Sequence, residues 1–327
     1  MTSHGDPSGR LRGPAFALGA AVTFALSVPV GKLLLGEIGS FTLAGILYLG
    51  AGLGLTLYRL VARKPRWIVG EDGVSNPVAS SRRSSLALAG AIVSGGIIAP
   101  ALLFWGLSSL SAAPASLLLS LEVVFTALLA GIIFREQITK QVWAAVVLMV
   151  VASVLLAWTG GRLSWSLSAI AVALAALFWG LDNNLTREVR GYSAAYIAQV
   201  KGLVAGTVNL LIGILVLDQI PKLIPAVAGA ALGAVSYGLS LVLFVQALRL
   251  LGSARTGAYF SSAPMVAAVL SLIIFPQPPG WRLLVAFVLV VAATVLMVSE
   301  RHAHEHKHGE LVHSHSHWPD QEHRHAH

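Results

Sequence analysis

The sequence predicts an all-α membrane protein with ten transmembrane helices in two inverted five-helix repeats. Three observations carry this prediction: an apolar composition, apolar segments of membrane-spanning length, and weak internal repetition. Of the 327 residues, 56% are hydrophobic and 11% are charged, whereas about a quarter of the residues of a soluble domain are charged. This composition excludes a water-soluble globular protein.

The apolar residues form stretches of about 20, the length that a helix needs to cross a hydrocarbon layer of about 30 Å. Most connections between these stretches are short, but a polar, basic loop over 62–84 separates the second from the third. The predicted spans are 14–35, 39–61, 85–107, 111–134, 138–158, 166–186, 193–217, 226–249, 255–275 and 281–299.

The first span follows two arginines, as a secretory signal does. Its apolar run is longer than a signal core, and it ends in Pro29, Gly31 and Lys32 instead of a small-residue cleavage site. We therefore expect a retained helix. Three prolines inside spans remove helix hydrogen bonds, which is tolerated where a helix lines a cavity or bends; they are Pro29, Pro100 and Pro264.

The net charge of +8 is interpreted as membrane topology and not as nucleic-acid binding, because the basic residues lie between the spans. Alternating the loops between the two sides places fifteen of the 22 Lys and Arg residues on one side and four on the other. The positive-inside rule then predicts that both termini are cytoplasmic in a multi-pass protein of the cell membrane.

The two halves of the chain resemble each other weakly. An offset of 155 residues aligns Phe24 with Trp179, and an offset of 141 aligns Ser120 with Ser261. Because each half has an odd number of spans, the second half must insert upside down relative to the first. Inverted repeats are common in secondary transporters, whose substrate site lies between the repeats near the bilayer midplane.

Three stretches, 120–136, 179–187 and 251–264, resemble the EamA family of the drug/metabolite transporter superfamily. The sequence departs from the family pattern at Val123, where a proline commonly follows the glutamate, and at 276–279. The resemblance implies two EamA repeats, a central cavity open to one side at a time, and export of small metabolites. The predicted organisation is a cytoplasmic N-terminus over 1–13, repeats over 14–158 and 166–299, and a disordered tail over 300–327.

Charged side chains inside a span are costly in hydrocarbon, so Glu122, Asp182 and Lys201 must face protein or a wet cavity. Asp182 forms either a structural ion pair with Lys201 or, with Asn183, part of the substrate path. Glu122 is either a hydrogen-bonded structural group or a protonatable group that couples proton movement to transport. Asp182 and Lys201 are further candidates for coupling.

Four aromatic residues with polar tips are candidates for the cavity wall, namely Trp105, Trp179, Tyr237 and Tyr259. The alternative interpretation is that they belong to interfacial belts or to ordinary packing. Trp179 is the strongest candidate because its neighbours in the sequence are polar.

The tail after Arg301 contains ten of the eleven histidines, which are His302, His304, His306, His308, His313, His315, His317, His323, His325 and His327. Their alternate spacing predicts weak binding of Zn²⁺, Ni²⁺ or Co²⁺. No other cofactor is predicted, and the alternative is a solubilising tail without a metal function.

No enzyme motif is found in the sequence, which favours a secondary transporter. The leading hypothesis is an exporter of amino-acid-like metabolites; the alternatives are a divalent-cation exporter with a metal-capturing tail, and a membrane-embedded metal sensor. Because no histidine lies inside the spans, an organic substrate is favoured. The predicted partners are the lipid bilayer and a small-molecule substrate. Glycine pairs spaced for close helix packing are compatible with a monomer or a weak homodimer.

Overall fold

The structure, a computed structural model, describes residues 7–62, 82–134, 139–159, 162–163, 166–189, 192–251, 256, 259–276, 278–299, 302–308 and 311–317. Within these residues, eight helices are long and apolar enough to span a membrane, and two further apolar helices are shorter. They are α1 Arg12–Leu34, α2 Ser40–Val61, α3 Arg82–Ser109, α4 Ala112–Ile133, α5 Lys140–Ala157, α6 Leu167–Arg187, α7 Ala195–Val216, α8 Leu223–Phe244, α9 Ala263–Ile274 and α10 Trp281–Met297. The predicted helical membrane fold is confirmed.

Two spans are interrupted. The helix that leads into α1 begins before the span, covers Pro7–Ala25, and resumes over Ser27–Leu34. Pro29 explains this break, because its missing N–H leaves the Ala25 carbonyl without its helical donor. In α4 the helix Ala112–Leu118 is separated from Leu121–Phe134 by a turn. Glu122 therefore lies in the first turn of a helical segment that begins inside the span.

Three spans contain a π-helical stretch. Ile92–Ile98 lies within α3, Ile212–Val216 ends α7, and Ala234–Leu239 lies within α8. The 141-residue offset found in the sequence carries 92–98 onto 233–239. The stretches in α3 and α8 thus occupy equivalent positions in the two halves. Such insertions are frequent at functional sites.

The packing of the helices has approximate two-fold symmetry. Five of the extensive pairs follow this symmetry: α2 with α7, α5 with α10, α4 with α9, α1 with α8 and α3 with α6. Each helix of the first half has its counterpart five helices later, so that α1 corresponds to α6 and α3 to α8. When the two halves are exchanged, the pair of α1 with α8 becomes the pair of α6 with α3. Each of the other three pairs is converted into itself. The two halves therefore interlock, and each contributes helices to the centre of the bundle.

The backbones of α2 and α7 touch where these helices cross. A Cβ atom added at Gly45 would overlap the backbone at Leu210, and one added at Gly202 would overlap the backbone of Gly52. Gly50 approaches Ala230 of α8 equally closely. Small residues permit such approaches in membranes. These contacts account for the spaced glycines within one chain.

The outer surface of the bundle is apolar. Large hydrophobic side chains stay exposed on most helices, among them Ile132, Leu215 and Val288. An apolar surface of this extent is typical of contact with lipid or protein. It accords with a multi-pass membrane protein.

The structure also contains two short antiparallel hairpins. Trp158–Thr159 pairs with Arg162–Leu163 after α5. His302–His308 pairs with Leu311–His317 in the C-terminal tail. The sequence predicts this tail to be disordered, and the paired strands differ from that expectation.

Candidate functional site

A cavity of about 960 Å³, including its open part, lies among α1, α2, α4, α6, α7 and α8. It is lined by Phe24, Tyr48, Ala51, Leu55, Glu122, Trp179, Asp182, Asn183, Ala198, Lys201, Gly202, Tyr237, Ser240, Leu241, Phe244 and Phe260. We refer to it as the central cavity. The enclosed part has a volume of about 290 Å³, close to the lower end of the range of small-molecule sites.

An ion pair forms part of the wall of the central cavity. Lys201 Nζ lies 2.6 Å from Asp182 Oδ1 and also contacts Oδ2. Thr186, one helical turn beyond Asp182, donates to Oδ1 at 3.0 Å. The Lys201 and Asp182 side chains are 16% and 8% exposed. The pair therefore joins α6 to α7 at the edge of a space that a ligand can occupy.

Glu122 is connected to α6 through Asn183. The Asn183 side-chain amide donates to Glu122 Oε1 at 2.9 Å and to Thr126 Oγ1 at 3.2 Å. The neighbouring Asn184 donates to the main-chain oxygens of Thr126 and Gly180. The consecutive polar residues of α6 thus point in different directions, Asp182 toward α7 and both asparagines toward α4.

The π-helical stretch of α3 is held by side chains from three other helices. The carbonyl oxygen of Gly95 accepts hydrogen bonds from Tyr48 Oη at 2.7 Å and Trp179 Nε1 at 3.0 Å. Asn209 of α7 donates to the Gly96 carbonyl at 3.1 Å. Pro100 explains why that carbonyl is available, because proline has no N–H to reach back four residues.

Gly95 also lies directly against the ion pair. A Cβ atom added at this position would overlap the carboxylate of Asp182. Only glycine lets α3 approach the carboxylate this closely.

A chain of aromatic rings forms the other wall of the central cavity. The centroids of Tyr48 and Tyr237 are 5.2 Å apart, and those of Phe24 and Tyr237 are 5.5 Å apart. Phe260 follows at 5.4 Å from Phe24, and Phe244 at 5.0 Å from Phe260. These separations are typical of favourable aromatic pairs.

A second cavity, of about 610 Å³ including its open part and about 70 Å³ enclosed, adjoins the first among α1, α4, α5, α6, α9 and α10. Four residues line both cavities, namely Phe24, Glu122, Trp179 and Phe260. Glu122 is the only charged residue among these four. Glu122 therefore lies between the two cavities and contacts both.

The structure brings most of the predicted site residues together. The central cavity contains Glu122, Trp179, Asp182, Asn183, Lys201 and Tyr237. Their roles in transport stay predictions.

Trp105 and Tyr259 are placed elsewhere. They are 45% and 38% exposed, and neither lines the two cavities. Successive helical residues point about 100° apart, so Phe260 faces inward where Tyr259 does not. In α3 the buried face carries Phe104 and Leu107, which leaves Trp105 outside.

Sequence reasoning missed three side chains that shape this site. Tyr48 was identifiable as a polar aromatic residue in the middle of α2, and Phe24 as the residue aligned with Trp179. Asn209 was also identifiable, as an amide inside α7. None of these signals indicates that Tyr48 and Asn209 bind α3 carbonyls.

Three of the ten predicted metal ligands of the tail lie outside the described residues, namely His323, His325 and His327. The other seven histidines fall on the C-terminal hairpin strands, whose side chains are not described. In the described part of the chain, no cluster of three or more His, Asp or Glu side chains can hold a metal ion. Metal binding by the tail stays a prediction.

The model of the EamA-like transporter family matches residues 11–158 and again 166–299. The chain belongs to the EamA-like transporter family. The two matches correspond to the two halves of the bundle, so the predicted family and its two repeats are confirmed. This EamA-like protein is 29% identical over 281 residues to an uncharacterized transporter of Methanothermobacter thermautotrophicus, covering 82% of this chain and 81% of that one.

A solved crystal structure shares the fold of this EamA-like transporter. The TM-score is 0.58 with 16% sequence identity, and the alignment covers 87% of this chain and 95% of the other. Similarity at that identity shows the fold alone. Together with the family match and the membrane-spanning helices, it describes a multi-pass membrane transporter.

Proposed function

We propose that this transporter exports small zwitterionic metabolites of the amino-acid class from the cytoplasm by alternating access. The observation that carries the proposal is the ion pair of Asp182 and Lys201 at the edge of an aromatic-walled cavity. The proposed substrate has an ammonium group, a carboxylate and an apolar side chain.

A zwitterion can replace the ion pair without leaving a buried charge unpaired. Removing one partner of a buried pair costs about 3 to 5 kcal/mol, because the remaining charge is uncompensated. A substrate with a single charge would compensate only one of the two side chains. A zwitterion offers its carboxylate to Lys201 and its ammonium group to Asp182 at the same time, so both stay compensated during exchange.

The aromatic wall supports an amphipathic substrate. The rings of Phe24, Phe260 and Phe244 face the same cavity as the ion pair. An apolar side chain bound there would leave water, which favours binding by roughly 25 cal/mol for each Å² of apolar surface buried.

The position of the cavity supports binding from the cytoplasm. Its lining includes Leu55 near the end of α2, Ala198 near the start of α7, and Phe244 at the end of α8. The positive-inside prediction assigns these helix ends to the cytoplasm. At the opposite ends, Thr42 of α2 binds Gln219, which follows α7. The conformation is thus proposed to face the cytoplasm.

Two ion pairs support the inverted relation of the repeats. Arg83 at the start of α3 contacts Glu188 after α6 at 2.8 Å, and Lys222 before α8 contacts Glu37 after α1 at 3.0 Å. Exchanging the halves maps one pair onto the other. In the predicted topology they lie at opposite membrane surfaces, as inverted repeats require.

The substrate class is testable in proteoliposomes by competition against labelled phenylalanine in a counterflow assay. Unlabelled phenylalanine should compete, whereas phenylalaninol, which lacks the carboxylate, and 3-phenylpropionate, which lacks the ammonium group, should compete at least tenfold less well. Lys201→Met should abolish counterflow, and Lys222→Met should not, because Lys222 is paired at the exposed surface. Transport of Zn²⁺ without transport of any amino acid would reject the proposal in favour of a cation exporter.

A further inference from the structure

The central cavity and the second cavity differ in the chemistry of their walls. The central cavity is lined by three charged side chains, Glu122, Asp182 and Lys201. Among the described residues that line the second cavity, Glu122 is the only charged one, and eleven of the sixteen are apolar or aromatic. The two spaces together therefore have one charged end and one apolar end.

The boundary between the two cavities lies close to the ion pair. Trp179 lines both cavities and precedes Asp182 on α6 by three residues, so the two side chains are neighbours on the surface of the helix. The Trp179 indole N–H donates to the Gly95 carbonyl, which leaves the carbon atoms of its ring to face the cavities. The second cavity thus begins about 4.5 Å from Asp182 along the axis of α6.

The size of the second cavity limits what it can hold. Its enclosed part is about 70 Å³, roughly half the volume of a cavity that accommodates benzene. About three carbon atoms fill such a volume. The first turns of α9 line it with small side chains, Ala263, Pro264 and Ala267, and α5 contributes Met149. The second cavity therefore suits a short apolar group.

We propose that the second cavity is a side-chain pocket that takes the end of an aliphatic substrate side chain, such as the isopropyl group of leucine. This inference rests on the proposed function, in which the ion pair binds the zwitterionic end. The side chain passes Phe24 and Phe260, which line both cavities, and its end leaves water. The ring of phenylalanine exceeds the enclosed volume and stays against the aromatic wall of the central cavity.

Two neighbouring alanines of α9 form a matched pair for the first test, which needs no substrate. Both are buried, but Ala267 lines the second cavity, whereas Ala268 packs in a cluster with Leu117 and Val290. Ala267→Val adds two methyl groups beside the cavity, so the melting temperature of the purified protein in detergent should not fall. Ala268→Val overpacks the cluster, and the melting temperature should fall by about 2 to 6 °C. A fall of the same size for Ala267→Val would overturn the pocket.

The second test compares amino acids of different side-chain length in counterflow. Wild-type protein should exchange leucine in preference to alanine by at least about tenfold, because each methylene group that enters an apolar pocket favours binding. Ala267→Val should remove most of this preference, because its methyl groups occupy the space of the isopropyl group, while exchange of alanine and phenylalanine continues. Ala268→Val is the control that should keep the preference.

The outcomes separate the two proposals. An unchanged preference for leucine in Ala267→Val, or equal exchange of leucine and alanine by wild-type protein, would reject the pocket and leave the zwitterion proposal standing. Failure of wild-type protein to exchange leucine, alanine and phenylalanine alike would reject the proposed function, and the pocket with it.

Discussion

The Lys201 ammonium lies 2.6 Å from Oδ1 of Asp182, and this contact joins α6 to α7 beside the central cavity. The same pair can serve structure, substrate binding or both, and these roles respond differently to substitution. A double-mutant cycle separates them because it removes one charge and then its partner.

Asp182→Asn should abolish transport and lower the free energy of unfolding by about 3 to 5 kcal/mol, because Lys201 is left uncompensated. Asp182→Asn combined with Lys201→Met should recover most of the stability without recovering transport. Thermal unfolding in detergent and phenylalanine counterflow measure the two effects. Full transport by the double variant would show that the pair is structural only.

Glu122→Gln should separate proton coupling from substrate exchange. Glutamine keeps an acceptor for Asn183 but cannot take up a proton at neutral pH. Counterflow should stay close to wild type, whereas accumulation driven by an imposed pH gradient should fall to the level seen without a gradient. Glu37→Gln, at an exposed surface pair, is the control that should retain gradient-driven accumulation. If Glu122→Gln also retains it, Glu122 is not the coupling group.

Gly95→Ala tests the close approach of α3 to Asp182. The new methyl group would overlap the carboxylate, so we expect a loss of roughly 1 to 3 kcal/mol of stability, as for other overpacked sites. Gly238→Ala is the matched change in the π-helical stretch of α8, where a methyl group meets its neighbours at an ordinary 3.5 Å. Its melting temperature should stay near wild type. Equal melting temperatures for both variants would contradict the packing described for Gly95.

The predicted topology has a direct test. A reporter inserted in the 62–84 loop and another fused after residue 299 should both report the cytoplasm, because both follow an even number of crossings. Protease protection in oriented vesicles measures the same property. Opposite locations for the two reporters would contradict the five-plus-five arrangement.

Deleting residues 302–327 should leave phenylalanine counterflow in metal-free proteoliposomes near normal. The tail follows the last span and needs no contact with the bundle to bind metal. The deletion should also eliminate most Zn²⁺ binding measured by equilibrium dialysis. Complete loss of transport would place the tail in the transport pathway.

The helices were predictable because hydrocarbon imposes a length and a polarity on every span. The same rule identified Glu122, Asp182 and Lys201, since a charge inside a span is costly without a partner or a cavity. Trp105 and Tyr259 line neither cavity, and the sequence did not indicate this because composition does not fix the rotation of a helix about its axis. That rotation follows from packing against neighbouring helices.

The π-helical stretches were not predictable either. Pro100 indicates that the Gly96 carbonyl lacks its helical donor, but the side chain that replaces it, Asn209, lies more than a hundred residues away. The pairing depends on how α3 meets α7 across the two repeats. No local signal carries that information.

The contact of α2 with α7 through Gly45, Gly52 and Gly202 has a mechanical consequence. Because backbone rests on backbone there, no side chain is available to compress, and the two helices cannot move closer at that point. In the proposed transport cycle, we expect the two helices to rotate relative to each other about this crossing. Under the proposed alternating access, such a rotation would spread the helices at one membrane surface while bringing them together at the other, so the two openings would not exist at the same time.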